Sequence, residues 1–243
     1  MSEQKVALIT GANKGIGFET ARQLGQRGIK VLLGARSEER GREAEAKLKS
    51  EGIDAEFIHL DLGDEKTHES AAKYIEEKFG KLDILVNNAG IWLEGPEIKP
   101  ASSLSLDVFR KTFETNFFDQ IEITQTFLPL VKKSAAGRIV NLSSALGSNA
   151  LHADPSSQIW NFKVPAYDAS KAALNSFTIH LAYELKDTPI MVNAVHPGSV
   201  ETDMNTGGEL KLEEGAKTSV EMATLPADGY TGKFVHLGQE LPW

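Results

Sequence analysis

Residues 5–17 read Lys-Val-Ala-Leu-Ile-Thr-Gly-Ala-Asn-Lys-Gly-Ile-Gly, and this stretch decides the predicted fold. An apolar, β-branched run ends at Thr10, three glycines follow, and a helical apolar period begins at Ile16. The order predicts a strand, a glycine turn and a helix. Glycines allow close approach of a ligand, and the free N–H groups at a helix N-terminus favour an anion. We expect a pyrophosphate, although glycines after a strand also mark ordinary turns.

The glycine spacing Thr-Gly-x-x-x-Gly-x-Gly is wider than the Gly-x-Gly-x-x-Gly of the usual dinucleotide fingerprint, so the rest of the chain has to support the interpretation. Apolar runs and helical periods alternate along it with short links. This alternation predicts an α/β fold in a single domain, 1–243, with a doubly wound, mainly parallel sheet and helices on both faces. We predict seven strands, at 5–10, 29–35, 55–60, 82–86, 138–142, 190–195 and 234–237.

Composition limits the possible partners. The chain has 243 residues, a net charge of -8 and no cysteine. Disulfides, thiol catalysis and cysteine metal sites are excluded, and we predict no metal site. The negative charge argues against nucleic acid or an anionic membrane as a main partner. Few residues precede the first strand and no apolar run approaches ~20 residues, so we expect no signal peptide, no membrane-spanning helix and a cytoplasmic location.

Basic residues near the second predicted strand indicate which dinucleotide binds. In such sheets a carboxylate after this strand selects a ribose 2′-hydroxyl, whereas an arginine accommodates a 2′-phosphate. Here the strand ends at Arg36, Arg40 follows one helical turn later, and Lys14 lies in the glycine loop. These cations favour NADP(H) over NAD. Asp61, after the third strand, is a candidate acceptor for the adenine amino group.

The candidate reacting groups lie in the second half of the chain. Tyr167 and Lys171 are one helical turn apart on the same face, and a nearby ammonium lowers the pKa of a phenol. Ser144 follows the fifth strand, at the edge where open α/β sheets bind ligands. Each residue alone is more commonly an ordinary surface or turn residue. Asn116, an amide within a predicted helix, either accommodates a bend or orders water.

Together these residues resemble the classical short-chain dehydrogenase/reductase family over nearly the entire chain. The matching motifs are Thr10–Gly17, Asn87–Gly90, Asn116, Ser144, Tyr167-x-x-x-Lys171 and Pro197-Gly198, with Thr202 downstream. The residues of the glycine loop, together with Arg36 and Arg40, are similar to those of the NADPH-dependent carbonyl reductase branch. The resemblance implies a Rossmann-like three-layer sandwich. It also implies cofactor contacts from Gly11, Asn13, Lys14, Gly15, Ile16, Gly17, Arg36, Arg40, Asp61, Leu62, Asn88, Ala89, Gly90, Tyr167, Lys171, Pro197, Gly198, Val200 and Thr202.

The resemblance further implies the chemistry: reduction of a ketone, aldehyde or quinone to an alcohol by hydride transfer from NADPH. Tyr167 would protonate the carbonyl oxygen and Ser144 would hydrogen-bond it. Lys171 would bind the nicotinamide ribose and lower the pKa of Tyr167, while Asn116 would hold a water that links Lys171 to solvent. Val200 would contact the nicotinamide amide together with Thr202.

The segments 91–105, 145–166 and 203–218 are expected to form the substrate pocket, with Trp92, Trp160 and Met204 as candidate lining residues. The interval between Ser144 and Tyr167 is longer than in most family members. Such an insertion can disturb the helix pairing of tetramers, so monomer, homodimer and homotetramer all remain open. Two other functions also remain open: a ketoreductase for acyl-thioester or sugar-type substrates, and a non-catalytic dinucleotide sensor.

Overall fold

The centre of the computed structural model, which describes residues 4–95 and 98–243, is one mixed sheet. Its strands are β1 (Val6–Thr10), β2 (Lys30–Ala35), β3 (Ala55–His59), β4 (Ile84–Asn87), β5 (Arg138–Leu142), β6 (Met191–Val195), β7 (Phe234–His236) and β8 (Gln239–Glu240). Their order is β3-β2-β1-β4-β5-β6-β7-β8. Strands β1 to β7 pair in parallel, which confirms the doubly wound α/β class.

The predicted strand count of seven is wrong by one, because β8 follows β7 as a short antiparallel partner. The reversal occurs at Leu237 and Gly238, whose φ angles are 44° and 76°. Two consecutive residues with positive φ are typical of a tight hairpin turn. A two-residue strand has no detectable hydrophobic period, so the sequence carried no usable signal for it.

Helices cover both faces of the sheet. They are α1 (Gly15–Gln26), α2 (Glu38–Ser50), α3 (Glu65–Phe79), α4 (Leu106–Phe113), α5 (Asp119–Val131), α6 (Asn149–Ala153), α7 (Pro165–Glu184) and α8 (Leu212–Ala223). Alternate residues of β1 enter opposite cores: Ile9 packs with α1, α2 and α8, whereas Leu8 packs with α3, α5 and α7. Within the described ranges, none of the helices has the length and apolar character needed to cross a membrane.

Two regions differ in detail from the sequence expectation. The helix predicted over 106–133 is divided into α4 and α5 by a π-helical turn, Glu114–Phe118, which carries Asn116. The segment expected to be irregular after β5 contains a 3-10 turn, Ala145–Gly147, and the short α6. Single π turns inside α-helices are frequent at functional sites, because the extra residue redirects side chains. Pro96, predicted to lie in a loop, is outside the described residues.

A buried polar layer joins the middle of the sheet to helices on one face. The Asn87 amide donates to Thr124 Oγ1 at 2.8 Å and to Asn141 Oδ1 at 2.9 Å, and the Asn141 amide donates to Thr178 Oγ1 at 2.8 Å. Because both asparagines are almost fully buried, a lost partner there is not replaced by bulk water. The layer therefore holds β4, β5, α5 and α7 in register directly below the carboxyl edge of the sheet.

Replacement of Asn141 by alanine should lower the free energy of unfolding by roughly 1–3 kcal/mol, because Thr178 and Asn87 each lose a buried partner. Urea unfolding followed by circular dichroism measures this loss. Asn161→Ala is the matched control, since Asn161 is exposed. Equal unfolding midpoints for the two variants would contradict a stabilising role for the layer.

Candidate active site

The glycine loop after β1 has a backbone that only glycine accommodates at two of its positions. Gly11 and Gly15 have φ angles of 65° and 61°, in the left-handed region. At Gly17 a Cβ would overlap the Asn88 side-chain amide, so this glycine permits close contact between the loops after β1 and β4. The loop thus has the tight geometry that the sequence predicted.

Thr10, the last residue of β1, joins these two loops. Its Oγ1 accepts hydrogen bonds from the backbone N–H groups of Asn88 and Ala89, both at 3.0 Å. The Asn88 amide returns a bond to the Thr10 carbonyl at 2.8 Å. Asn88 was predicted to bind a cofactor, whereas its side chain here holds the glycine loop. Thr10 belongs to the glycine-loop motif, but its role in joining the two loops was not predicted from the sequence.

The start of α1 fits an anionic group of a dinucleotide. The helix begins after Lys14, and no described side chain caps its N-terminus. A Cβ added to Gly15 would meet no atom within 4 Å, so open space lies beside the first turn. Gly15, Ile16 and Gly17 form this turn, whose N–H groups point toward the helix start. An uncapped turn beside open space is suited to a phosphate.

The predicted basic residues lie around this loop. Arg36 and Arg40 are exposed after β2, and neither forms an ion pair with another described residue. The loop after β1 contacts the end of β2, because the Ala12 N–H donates to the Gly34 carbonyl at 3.1 Å. Lys14 is instead engaged: its Nζ lies 2.6 Å from Asp203 Oδ2. The structure therefore places Arg36 just after the strand that the glycine loop contacts, and it pairs Lys14 with Asp203, a contact not predicted from the sequence.

Other predicted cofactor contacts are distributed along the same edge. Asn13 is partly buried in the glycine loop, and Asp61 and Leu62 are partly buried after β3. Pro197 and Gly198 follow β6, where Gly198 has a φ of 90°. Val200 is buried, and a Cβ at Gly215 would overlap it. Thr202 accepts a hydrogen bond from the Asn205 N–H at 3.1 Å, so its hydroxyl shapes the turn after Val200.

Lys171 is buried deeply for a charged residue, with 3% of its surface exposed. Its Nζ donates to the Leu142 carbonyl, at the end of β5, over 2.7 Å. It also lies 5.7 Å from the centroid of the Tyr167 ring. Burial lowers the pKa of Lys171 to about 8, because desolvation disfavours the charged form. The predicted pair is thus brought together, with an ammonium that loses its proton easily.

Burial raises the pKa of Tyr167 to about 12. A hydrogen bond from Ser144 lowers this pKa, whereas the Asp168 carboxylate raises it further. From the sequence, Lys171 is expected to lower this pKa. The structure differs because desolvation penalises the phenolate more strongly than its neighbours stabilise it. At neutral pH the phenol is therefore protonated and is suited to donating a proton.

Ser144 lies directly beyond β5 and next to Tyr167, as predicted. It is mostly buried, and its Oγ also accepts a hydrogen bond from the Leu146 N–H at 3.2 Å. This second bond holds the serine side chain at the start of the 3-10 turn. The hydroxyl can therefore present its hydrogen to an oxygen that sits beside the phenol.

Asn116 is fully buried in the π turn, and its amide binds a neighbouring loop. Oδ1 accepts from the Ile91 N–H at 2.8 Å, while Nδ2 donates to the Ile91 carbonyl at 2.9 Å and to Ser170 Oγ at 3.1 Å. A Cβ on Gly90 would lie 3.2 Å from Asn116 Oδ1 and 3.5 Å from Lys171 Nζ. Asn116 thus lies near Lys171, another of the predicted catalytic residues. Its proposed role in holding a water stays a prediction.

The predicted pocket residues lie in three different surroundings. Trp92 is partly buried, and its indole nitrogen has no hydrogen-bond partner among the described residues. Trp160 is partly exposed and has the Lys163 ammonium 4.9 Å from its ring centroid. Met204 is exposed. Their contribution to a substrate pocket therefore remains a proposal.

Comparisons with known proteins find relatives that match nearly the whole chain. A family model described as short chain dehydrogenase matches residues 5–212. The chain is 36% identical to (+)-neomenthol dehydrogenase of Arabidopsis thaliana, with 91% of this chain and 92% of that protein covered. It is 33% identical to mouse (Mus musculus) Carbonyl reductase [NADPH] 1, with 100% and 99% covered. The solved structure of NADPH-bound carbonyl reductase from chicken fatty liver superposes with a TM-score of 0.85 at 26% identity, covering 99% and 100% of the two chains. The protein therefore belongs to the short-chain dehydrogenase/reductase family.

Proposed function

We propose that the protein reduces a ketone, aldehyde or quinone to an alcohol with NADPH as hydride donor. The observation that carries this proposal is the convergence of a protonated phenol, a serine hydroxyl and a buried ammonium at one sheet edge, beside the glycine loop. Hydride transfer to a carbonyl carbon also requires one proton at the oxygen. Tyr167 is the group suited to supplying that proton.

Residues along the carboxyl edge of the sheet would each hold a different part of the cofactor. The first turn of α1 would bind the pyrophosphate, Arg36 and Lys14 the 2′-phosphate, and Lys171 the nicotinamide ribose. When bound, NADPH supplies the hydride. The names of the mouse relative and of the chicken structure support NADPH as the cofactor. To bind the phosphate, Lys14 would have to exchange its partner Asp203.

The reaction proper would be carried by three side chains. Ser144 would donate a hydrogen bond to the substrate carbonyl oxygen and thereby place that oxygen against the Tyr167 hydroxyl. Tyr167 would transfer its proton as the oxygen becomes negative. The ammonium of Lys171 would stabilise the phenolate that remains. Its Nζ lies 5.7 Å from the centroid of the Tyr167 ring, and a poorly solvated charge interacts strongly over such a distance.

The surroundings favour an apolar substrate. Large apolar side chains are exposed in all three segments that the sequence assigned to the pocket: Leu93, Ile98, Trp160, Phe162 and Met204. A ligand that covers these groups would remove their apolar surface from water. A small or medium-sized apolar ketone or aldehyde suits these surfaces, and the similarity to a neomenthol dehydrogenase supports this class. A sugar-type substrate would instead require polar side chains there.

Replacement of Tyr167 by phenylalanine should reduce kcat by about 10²–10⁴-fold, because the proton donor is lost. NADPH binding should persist, since the ring remains. Turnover is followed by the absorbance of NADPH against a panel of quinones, diketones and aldehydes. Tyr183→Phe is the matched control, because Tyr183 lies on the same helix and is 71% exposed. Full activity of the Tyr167 variant would exclude the phenol as proton donor.

Arg36→Asp should raise KM for NADPH by about 10- to 100-fold, because a charge-assisted contact to phosphate contributes ~1.5–3 kcal/mol. KM for NADH should change little or fall, so the preference moves toward NADH. Steady-state kinetics with both cofactors measure the change. Arg42→Asp serves as control, since Arg42 pairs with Glu38 on the exposed surface of α2. An unchanged cofactor preference in the Arg36 variant would show that Arg36 does not contact the phosphate.

The rate of reduction should depend on the charge of Lys171. Its pKa is lowered to about 8, so the ammonium is present below that pH and is lost above it. We expect kcat/KM, which reports the ionisation of groups in the free enzyme, to be constant at lower pH and to fall as pH rises through about 8. Asp168, whose pKa burial raises to about 7, also titrates nearby. The fall should persist in Asp168→Asn, and its disappearance in that variant would assign it to Asp168 instead.

A further inference from the structure

The N-cap residue of α7 provides no capping side chain, and the Asp168 carboxylate within the helix accepts the N–H of Val164 at 3.0 Å. The helix begins after Val164, whose apolar side chain cannot accept a hydrogen bond, and its first residue is Pro165. Proline has no N–H to satisfy. The next two N–H groups, those of Ala166 and Tyr167, are the unpaired donors that a serine or aspartate would normally cap.

Glu94 satisfies both donors from a distant part of the chain. Its Oε1 accepts from the Ala166 N–H at 2.9 Å, and its Oε2 accepts from the Tyr167 N–H at 3.0 Å. The residue is only 7% exposed. A carboxylate at this position also interacts favourably with the positive end of the helix dipole. One buried side chain therefore holds the backbone of Tyr167 directly.

The segment that carries Glu94 is itself fixed at the cofactor side of the site. Three residues earlier, both backbone groups of Ile91 are bound by the Asn116 amide. Just before that, Gly90 lies against Asn116 and Lys171. Residues 90–94 thus connect the loop after β4, through Glu94, to the first turn of α7. Any change in the Glu94 contact would shift Tyr167 relative to that loop.

We propose that Glu94 is a positioning residue: its carboxylate sets the place of Tyr167 relative to the bound cofactor and substrate. This inference rests on the proposed function, in which the Tyr167 hydroxyl donates the proton. Proton transfer demands hydrogen-bond distance, and a displacement of about 1 Å can cost on the order of 10²-fold in rate. Loss of the cap should therefore affect turnover more than cofactor binding.

The test compares Glu94→Gln with Asp83→Asn. Asp83 is a second buried carboxylate, 3% exposed, that accepts a backbone N–H, that of Val6 at 2.9 Å. It precedes β4 and so lies at the opposite, amino-terminal edge of the sheet. Both substitutions replace one carboxylate oxygen by an amide nitrogen of similar size. Both should reduce stability, but they should differ in their effect on catalysis.

For Glu94→Gln we expect kcat to fall at least tenfold, while the Kd of NADPH, measured by protein fluorescence, changes by less than twofold. Asp83→Asn should keep kcat within twofold of wild type. Glu94→Asp, which retains the charge with a shorter reach, should have an intermediate kcat. If Glu94→Gln does not fold, Glu94→Asp decides: a kcat several-fold below wild type supports the proposal, and a wild-type kcat refutes it.

Wild-type kcat in a folded Glu94→Gln protein would overturn the positioning role, as would equal losses of kcat in Glu94→Gln and Asp83→Asn. Tyr167→Phe, assayed in parallel, separates this inference from the function on which it rests. An inactive Tyr167→Phe beside a fully active Glu94→Gln removes only the role of Glu94. An active Tyr167→Phe removes the proposed proton donor itself.

Discussion

The ammonium group of Lys171 is buried beside the Leu142 carbonyl, with no described carboxylate within ion-pairing distance, and the site is organised around it. Desolvation of a charge in a protein interior is expensive, so the pKa falls to about 8 instead of the charge being fully retained. The fold bears this cost because α7 is anchored by packing and by the polar layer below the sheet edge. A poorly solvated ammonium interacts strongly with any negative charge that develops nearby, and the phenol of Tyr167 is the neighbour where such a charge would form.

The same burial acts on Tyr167 in the opposite sense, since it raises the pKa of the phenol to about 12. The protonated phenol and the easily deprotonated ammonium are thus two results of one environment. Such a pair would suit the proposed reduction of a carbonyl, in which the tyrosine would begin protonated and the lysine would begin charged. The loops around the pair are held by contacts that involve no reacting group: Thr10 fixes the loop after β4 to the glycine loop, and Asn116 fixes Ile91.

Several features of the site came from local sequence patterns. The glycine loop was predictable because its backbone requires glycine at Gly11 and Gly15, and the Tyr167–Lys171 pair because residues four apart share a helix face. Ser144 was predictable because the carboxyl ends of parallel strands form the ligand edge. Features that depend on residues distant in sequence were not predictable. They include the cap from Glu94 and the ion pair between Lys14 and Asp203.

Hydrophobic periodicity and turn residues in the sequence alone determined the α/β class, the order of the elements and the edge at which the chemistry-bearing side chains gather. These properties follow from interactions between residues close in the chain, which a linear pattern records. Tertiary structure alone decided how strongly each group is desolvated and which residues form hydrogen bonds or ion pairs with it. The pKa of Tyr167 is the clearest case: the sequence showed a lysine one turn away, whereas the burial that raises the pKa of the phenol arises only in the folded chain.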